Sequence, residues 1–227
     1  MSNIGCKIIK NFNRPDKTIT DTLGKYPVSN IDDCMNRLSS VHRDIKPIND
    51  TKLFGTAFTV KVPEGDNLMF HKAMDMAKEG DVIVIDAGGS THRAILGDLM
   101  ANYCKVRGIA GVVVDGSVRD YEELSKMDFP VYARGITPRG PYKNGPGEIN
   151  TTISFGGQMV SPGDIVIGDG DGLIFIPLEE SEEILKKVKD VYKKEDEILN
   201  TIKKDGTYSR SWVDTQLEEI KCEYIKQ

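Results

Sequence analysis

Gly80-Asp81-Val82-Ile83-Val84-Ile85-Asp86-Ala87-Gly88-Gly89 and, further on, Gly111-Val112-Val113-Val114-Asp115-Gly116-Ser117-Val118-Arg119-Asp120 decide the fold. Each holds an apolar, mainly β-branched run with no polar alternation, the pattern of a strand covered on both faces. Each run also ends in glycines and charged residues, where a strand leaves a sheet. Gly97-Asp98-Leu99-Met100 lies between them, and residues 94–107 read as a helix, which gives a strand–helix–strand crossover. Twenty residues separate Asp98 from Arg119-Asp120 across it. Two carboxylates and a guanidinium are thereby brought to one end of the sheet, a set suited to a divalent cation and an anionic substrate.

Upstream, residues 54–62 alternate as a strand, and 67–78 form a helix with Leu68, Met69, Ala73, Met76 and Ala77 inward. Ser29 or Asn30 is placed to cap a short helix carrying Ile31, Cys34, Met35 and Leu38 on one face. Residues 1–28 are polar, contain Pro15 and Pro27, and form an N-terminal arm with no assigned role. Downstream come a helical turn at 121–127 and a strand at 130–134. Residues 137–150 are rich in Gly and Pro, a composition that in mid-domain serves a site or an interface. Short strands follow at 152–155, 164–168 and 172–176. Residues 178–204 form a long amphipathic helix with a stripe of Ile184, Val188, Val191/Tyr192, Ile198/Leu199 and Ile202. Glu195 occupies a position on that stripe, where a carboxylate needs a cation, water or a partner group. The tail 205–227, with the single tryptophan Trp212, has no assigned role.

The 227 residues fit a single α/β domain with these appendages. A net charge of −5 argues against general nucleic-acid binding, which needs a basic face. Four scattered cysteines without a CxxC pair, and three histidines without HxxxH spacing, argue against zinc and against a disulfide framework. No apolar run approaches membrane-spanning length and no signal pattern opens the chain, so a cytoplasmic protein without membrane contact is expected.

Asp98 and Asp120 are enough for Mg²⁺, which keeps several waters and takes one or two carboxylates. Arg119 adds a planar fork for a carboxylate or an oxyanion. The alternative is that Asp98 caps a helix and Arg119-Asp120 is a surface pair opening the next one. Gly88-Gly89-Ser90 offers backbone amides to an anion, or simply turns the chain; His92 and Arg93 sit beside it. Asp169 and Asp171 lack the terminal glutamate of a calcium loop and read as a hairpin turn. Arg139 and Lys143 can form a structural network under the Gly/Pro-rich loop.

These motifs together resemble the family of 4-hydroxy-4-methyl-2-oxoglutarate aldolases and regulators of ribonuclease activity A. The likeness continues through Ala133-Arg134-Gly135, Pro138-Arg139-Gly140-Pro141, Gly156-Gly157 and Pro162-Gly163-Asp164-Ile165-Val166. Asp98, Arg119 and Asp120 match the Asp, twenty residues, Arg-Asp pattern that marks the aldolases. The resemblance implies a three-layer β/β/α swivelling-type fold, and a homo-trimer or hexamer with sites between subunits. It implies Mg²⁺ or Mn²⁺ on Asp120, Arg119 on the keto oxygen of a small 2-oxo acid, and the backbone of Gly97, Asp98, Leu99 and Met100 on its carboxylate. Asp98 would hold water, and Glu195 would reach a neighbouring subunit's site. The activities implied are retro-aldol release of pyruvate and oxaloacetate decarboxylation. The competing reading is a non-catalytic trimer that binds a ribonuclease; a methyltransferase finds no support, because no glycine-rich nucleotide fingerprint is present.

Overall fold

The computed structural model describes residues 4–225. In chain order the elements are β1 (Cys6–Ile8), α1 (Lys17–Leu23), α2 (Val28–Cys34), β2 (Lys46–Pro47), β3 (Leu53–Lys61), α3 (Leu68–Met76), β4 (Asp81–Asp86), β5 (Ala94–Leu96) and α4 (Asp98–Val106). Then come β6 (Gly111–Val118), α5 (Tyr121–Lys126), β7 (Val131–Ile136), β8 (Gly147–Ile149), β9 (Ile153–Phe155), β10 (Gln158–Val160), β11 (Ile165–Asp169), β12 (Gly172–Ile176), α6 (Ser181–Asp205) and α7 (Ser211–Glu219).

Strands β3, β4, β6 and β7 lie side by side and parallel, and they are the backbone of a larger mixed sheet. Successive side chains of a strand point to opposite faces. Ile83, Ile85, Val112 and Val114 therefore pack with Phe70 and Ala73 of α3 and Ala101 and Cys104 of α4. Val82, Val84 and Val113 pack on the other face with Phe155 of β9, Val160 of β10 and Phe175 of β12. Helices cover one face and short β-hairpins the other, giving the β/β/α layering expected. Each fully buried Val or Ile in these strands contributes about 1.5–3 kcal/mol relative to exposure. A third cluster joins Leu23, Ile31, Ile174, Ile184 and Val188 around α1, α2, β12 and the start of α6.

Several local expectations change. Residues 94–96 are a strand, not the first turn of a helix; Gly97 stops it and α4 starts at Asp98. The strand expected at 111–114 runs on to Val118. Helix α2 starts after Pro27 without a side-chain cap, and left-handed Asn36 and Arg37 turn the chain so that Leu38 is exposed. Leu68 is also exposed, and Phe70 and Met74 fill the inward face of α3. The Gly/Pro-rich stretch contains β8, and β10 completes a hairpin with β9.

Several contacts tie the arm down. β1 pairs in parallel with β8, Phe12 meets Phe58 edge-on at 6.0 Å, and Arg14 forms two 2.8 Å bonds to fully buried Asp81. Contacts cluster residues Met1–Val188 as one compact unit and Lys189–Gln227 as a second. In the second unit Tyr192, Ile198, Leu199 and Ile202 are a third to a half exposed, Trp212 is more exposed still, and Glu195 is exposed. Glu195 thus lies on a solvent-facing stretch, not on a buried stripe. Among the described residues no cysteine forms a disulfide, and no helix is long and apolar enough to cross a membrane.

Asp164 accepts the Ser161 amide at 2.8 Å, while burial pushes its carboxyl up to about 6 from the ordinary 3.8. A raised folded-state pKa adds stability that is complete below pH 3.8 and lost as pH rises through about 6. The expected outcome is that Asp164→Asn flattens this part of the pH dependence of thermal unfolding between pH 4 and 7, measured by circular dichroism.

Candidate active site

The site grows from one pairing. Leu96, at the end of β5, sits in parallel register with Val118 at the end of β6, and the Arg119 amide donates to Leu96 O at 3.0 Å. Both chains leave the sheet at the same level, so Gly97-Asp98 and Arg119-Asp120 must run alongside each other. Asp120 then adopts φ 58°, ψ 44°, the left-handed region that Asp and Asn tolerate better than most residues. Its carboxylate makes no cap bond to α5 and turns back over Gly97. A Cβ on Gly97 would overlap Oδ2 of Asp120 and crowd the Arg119 side chain. The absence of a side chain at 97 is what admits both groups.

Oδ2 of Asp120 accepts the Asp98 amide at 3.3 Å and lies 3.4 Å from Nε of Arg119. Both distances are long for charge-assisted contacts, and both side chains are more than a third exposed, so they are open to a ligand. The Asp98 carboxylate folds back onto the Leu99 amide at 2.7 Å. Gly97, Asp98, Leu99, Met100, Arg119 and Asp120 share a cleft of about 340 Å³ with Asn67, His71, Gly140, Pro141 and Lys143. It lies at the carboxyl ends of the parallel strands, where ligands bind in open α/β sheets.

Asn67 and His71, at the start of α3, were not foreseen as site residues. Nδ2 of Asn67 donates to Ile95 O at 2.9 Å, which leaves its Oδ1 facing no protein donor. Among the described residues three buried side-chain polar atoms lack a partner, and two of them, Asn67 Oδ1 and His71 Nε2, belong to residues of this cleft. Buried polar atoms are nearly always paired, so these two are exceptions among the described residues. The sequence signal was present: two polar residues four apart on one helix face. Burial depresses the His71 pKa below its ordinary value, the nearby Lys143 depresses it further, and Asp75 opposes them.

The glycine turn does not take part. The amides of Gly88, Gly89 and Ser90 donate to Asp86 Oδ1, Asp115 O and Ala87 O, so none is offered to an anion. His92 is exposed and does not line the cleft. Arg93 acts structurally, stacked 4.0 Å over the Tyr142 ring and donating to Gly140 O and the Tyr142 hydroxyl. Glu195 belongs to the second compact unit.

Asp98 and Asp120 supply an oxygen donor set. Among the described residues no three His, Cys, Asp or Glu side chains converge as a metal cage, so a hard cation here would keep water or ligand oxygens in its shell. A larger hollow of about 580 Å³ at the opposite strand ends carries Arg14 and Lys17, which are paired with Asp81 and Asp21. The smaller cleft brings the two unpartnered atoms of Asn67 and His71 together with Asp98, Arg119 and Asp120.

Fold and cleft define an α/β protein with a polar cleft at the ends of its parallel strands. The chain belongs to the RraA-like family, whose Aldolase/RraA model matches residues 28–175. That match contains every cleft residue named above and stops short of Glu195. A Halalkalibacterium halodurans relative described as a "Putative 4-hydroxy-4-methyl-2-oxoglutarate aldolase" is 44% identical over 72% of this chain and 78% of its own. Streptomyces coelicolor RraAS2, titled an unusual member of the RNase ES inhibitor RraA protein family, superposes with a TM-score of 0.73 at 26% identity, over 82% of this chain and 98% of that one. A Geobacillus kaustophilus structure titled as an S-adenosylmethionine:2-dimethylmenaquinone methyltransferase superposes with a TM-score of 0.62 at 29% identity, covering 66% and 94%.

In an NMR titration the His71 imidazole is expected to titrate below pH 6.5. Lys143→Met should raise that value without restoring it fully, since burial is the larger cause.

Proposed function

We propose that this protein is a divalent-metal-dependent lyase that releases pyruvate from a small 2-oxo acid. The substrate is of the 4-hydroxy-4-methyl-2-oxoglutarate type, cleaved by a retro-aldol reaction, with oxaloacetate decarboxylation as an accompanying activity. The observation that carries the reading is the convergence of Asp98, Arg119 and Asp120 over Gly97 at the mouth of one cleft. Its membership of a family that includes aldolases supports it.

Asp120 would hold Mg²⁺ or Mn²⁺, with Asp98 on an associated water. When bound, such a cation polarises the 2-oxo carbonyl as a Lewis acid. The substrate's C1 carboxylate takes the place of the Asp98 carboxylate at the Leu99 amide, at the N-terminus of α4. Displaced, Asp98 turns towards C4 and accepts the C4 hydroxyl proton, directly or through water. The C3–C4 bond breaks, its electrons pass to the C2 oxygen, and C4 becomes a carbonyl. Arg119 stabilises the oxyanion of the resulting pyruvate enolate. The proton held by Asp98, or one from water, adds at C3 and completes the pyruvate. With oxaloacetate the same bond breaks to carbon dioxide and no base is needed. Lys143 and His71 line the far part of the cleft, where a distal carboxylate would lie.

The exposed apolar residues of α6 fit assembly as a homo-trimer or a pair of trimers, which would bring Glu195 of a neighbouring copy to the site as an additional base. The protein would act in the cytoplasm on small molecules, without nucleic acid or membrane. Light scattering is expected to give a mass that is a multiple of three chains of 25.2 kDa.

The ribonuclease-regulator reading rests on the RraAS2 likeness and on the net charge of −5. A coupled lactate dehydrogenase assay separates the two. Pyruvate release from oxaloacetate or 4-hydroxy-4-methyl-2-oxoglutarate is expected with Mg²⁺ or Mn²⁺ and to stop with EDTA. Arg119→Ala should lower turnover about 10²–10³-fold, the cost of removing one oxyanion donor. Asp120→Asn should abolish the response to metal. Turnover that survives both EDTA and Asp120→Asn sinks the lyase reading; no turnover together with ribonuclease capture favours the regulator.

A further inference from the structure

The two walls of the cleft that carry no carboxylate are joined by one buried side chain. Asp66 is 3% exposed and sits just before α3. Its Oδ1 accepts the Leu68 amide at 2.9 Å, at the first turn of the helix that carries His71. Its Oδ2 accepts the amides of Asn144 at 2.6 Å and Gly145 at 3.0 Å, the two residues that follow Lys143. On the other side of Lys143, Tyr142 is fixed by its amide to Gly65 O at 2.8 Å and by its carbonyl to the Asn67 amide at 3.0 Å. Lys143 is therefore held between two anchored neighbours, and its backbone has one place over the cleft. Asp66 fixes that place relative to Asn67 and His71.

We propose that Asp66 is a positioning residue: it sets the spacing between the α3 wall and Lys143, and so the affinity for the second carboxylate of a 2-oxo dicarboxylate. This rests on the proposed lyase reading, in which Arg119 and Asp120 take the 2-oxo acid end. A carboxylate meets this demand because it offers acceptors only. Asparagine has the same shape, but its amide group would point a donor at the Leu68 amide or at the two loop amides. That conflict loosens the Lys143 loop and leaves the Arg119–Asp120 end untouched.

The test is calorimetric binding of pyruvate and of 2-oxoglutarate, a dicarboxylate with no cleavable aldol bond, in the presence of Mg²⁺. Wild type is expected to bind 2-oxoglutarate more tightly than pyruvate. Asp66→Asn should weaken 2-oxoglutarate about tenfold, the scale of one lost charged hydrogen bond, with pyruvate unchanged within about twofold. In a Lys143→Met background Asp66→Asn should add nothing, because its effect acts through Lys143. If Asp66→Asn does not fold, Asn144→Pro deletes one amide that Asp66 accepts and is expected to give the same selective loss. Equal weakening of both acids, or an undiminished effect in the Lys143→Met background, overturns the proposal while the lyase reading stands. Wild type that binds neither acid overturns the lyase reading itself, and this inference with it.

Discussion

The parallel pairing of Leu96 with Val118 is the constraint on which the site depends. A parallel pair returns both chains to the same end of the sheet, and a helix is needed to close the connection. Here α4 is that helix, and its first residue is Asp98. The register then leaves no freedom: the residues just beyond the two strands must be neighbours, and these are Gly97-Asp98 and Arg119-Asp120. Chemistry-bearing groups twenty residues apart in the chain are placed by main-chain hydrogen bonds within a buried sheet, not by mobile side chains.

The central strands were legible because their signal is local and redundant. Val82–Ile85 and Val112–Val114 are apolar on both faces, which a sheet with helices on one side and hairpins on the other requires. Residues 94–96 were misread because three apolar residues before a helix have no period of their own, and only the pairing partner shows them to be a strand. The arm was illegible for a different reason. Cys6–Ile8 pairs with Gly147–Ile149, and Arg14 pairs with Asp81; neither partner is visible from local pattern. The Arg14–Asp81 pair also explains a buried carboxylate at the start of a core strand. Removing Arg14 would leave that charge uncompensated, which is far more harmful than losing an exposed pair.

At the site, Asp98, Arg119 and Asp120 were legible from spacing, and the structure brings them together. Asn67 and His71 escaped because they look like ordinary polar residues on an amphipathic helix. What singles them out is burial without a partner, a property of packing. The Gly88-Gly89 turn shows the converse: the sequence offers free amides, and local hydrogen bonds consume them. Asp66 belongs to a third kind, a residue whose significance lies wholly in joining segments that sequence separates, one before α3 and one just before β8.

Asp120 carries two independent demands at one position. Its side chain faces the cleft, and its main chain occupies a left-handed conformation that costs most residues about 1–2 kcal/mol. Only Gly, Asn and Asp meet the second demand cheaply, and of these only Asp places a carboxylate at the cleft. If Asp120 serves the proposed lyase, a relative that had given up that chemistry would still be held by the backbone. Loss of activity by drift at this position should therefore leave Asn or Gly behind far more often than Ala, Val or Leu. The residue found there in a relative thus records, separately, whether the turn has been kept and whether the chemistry has.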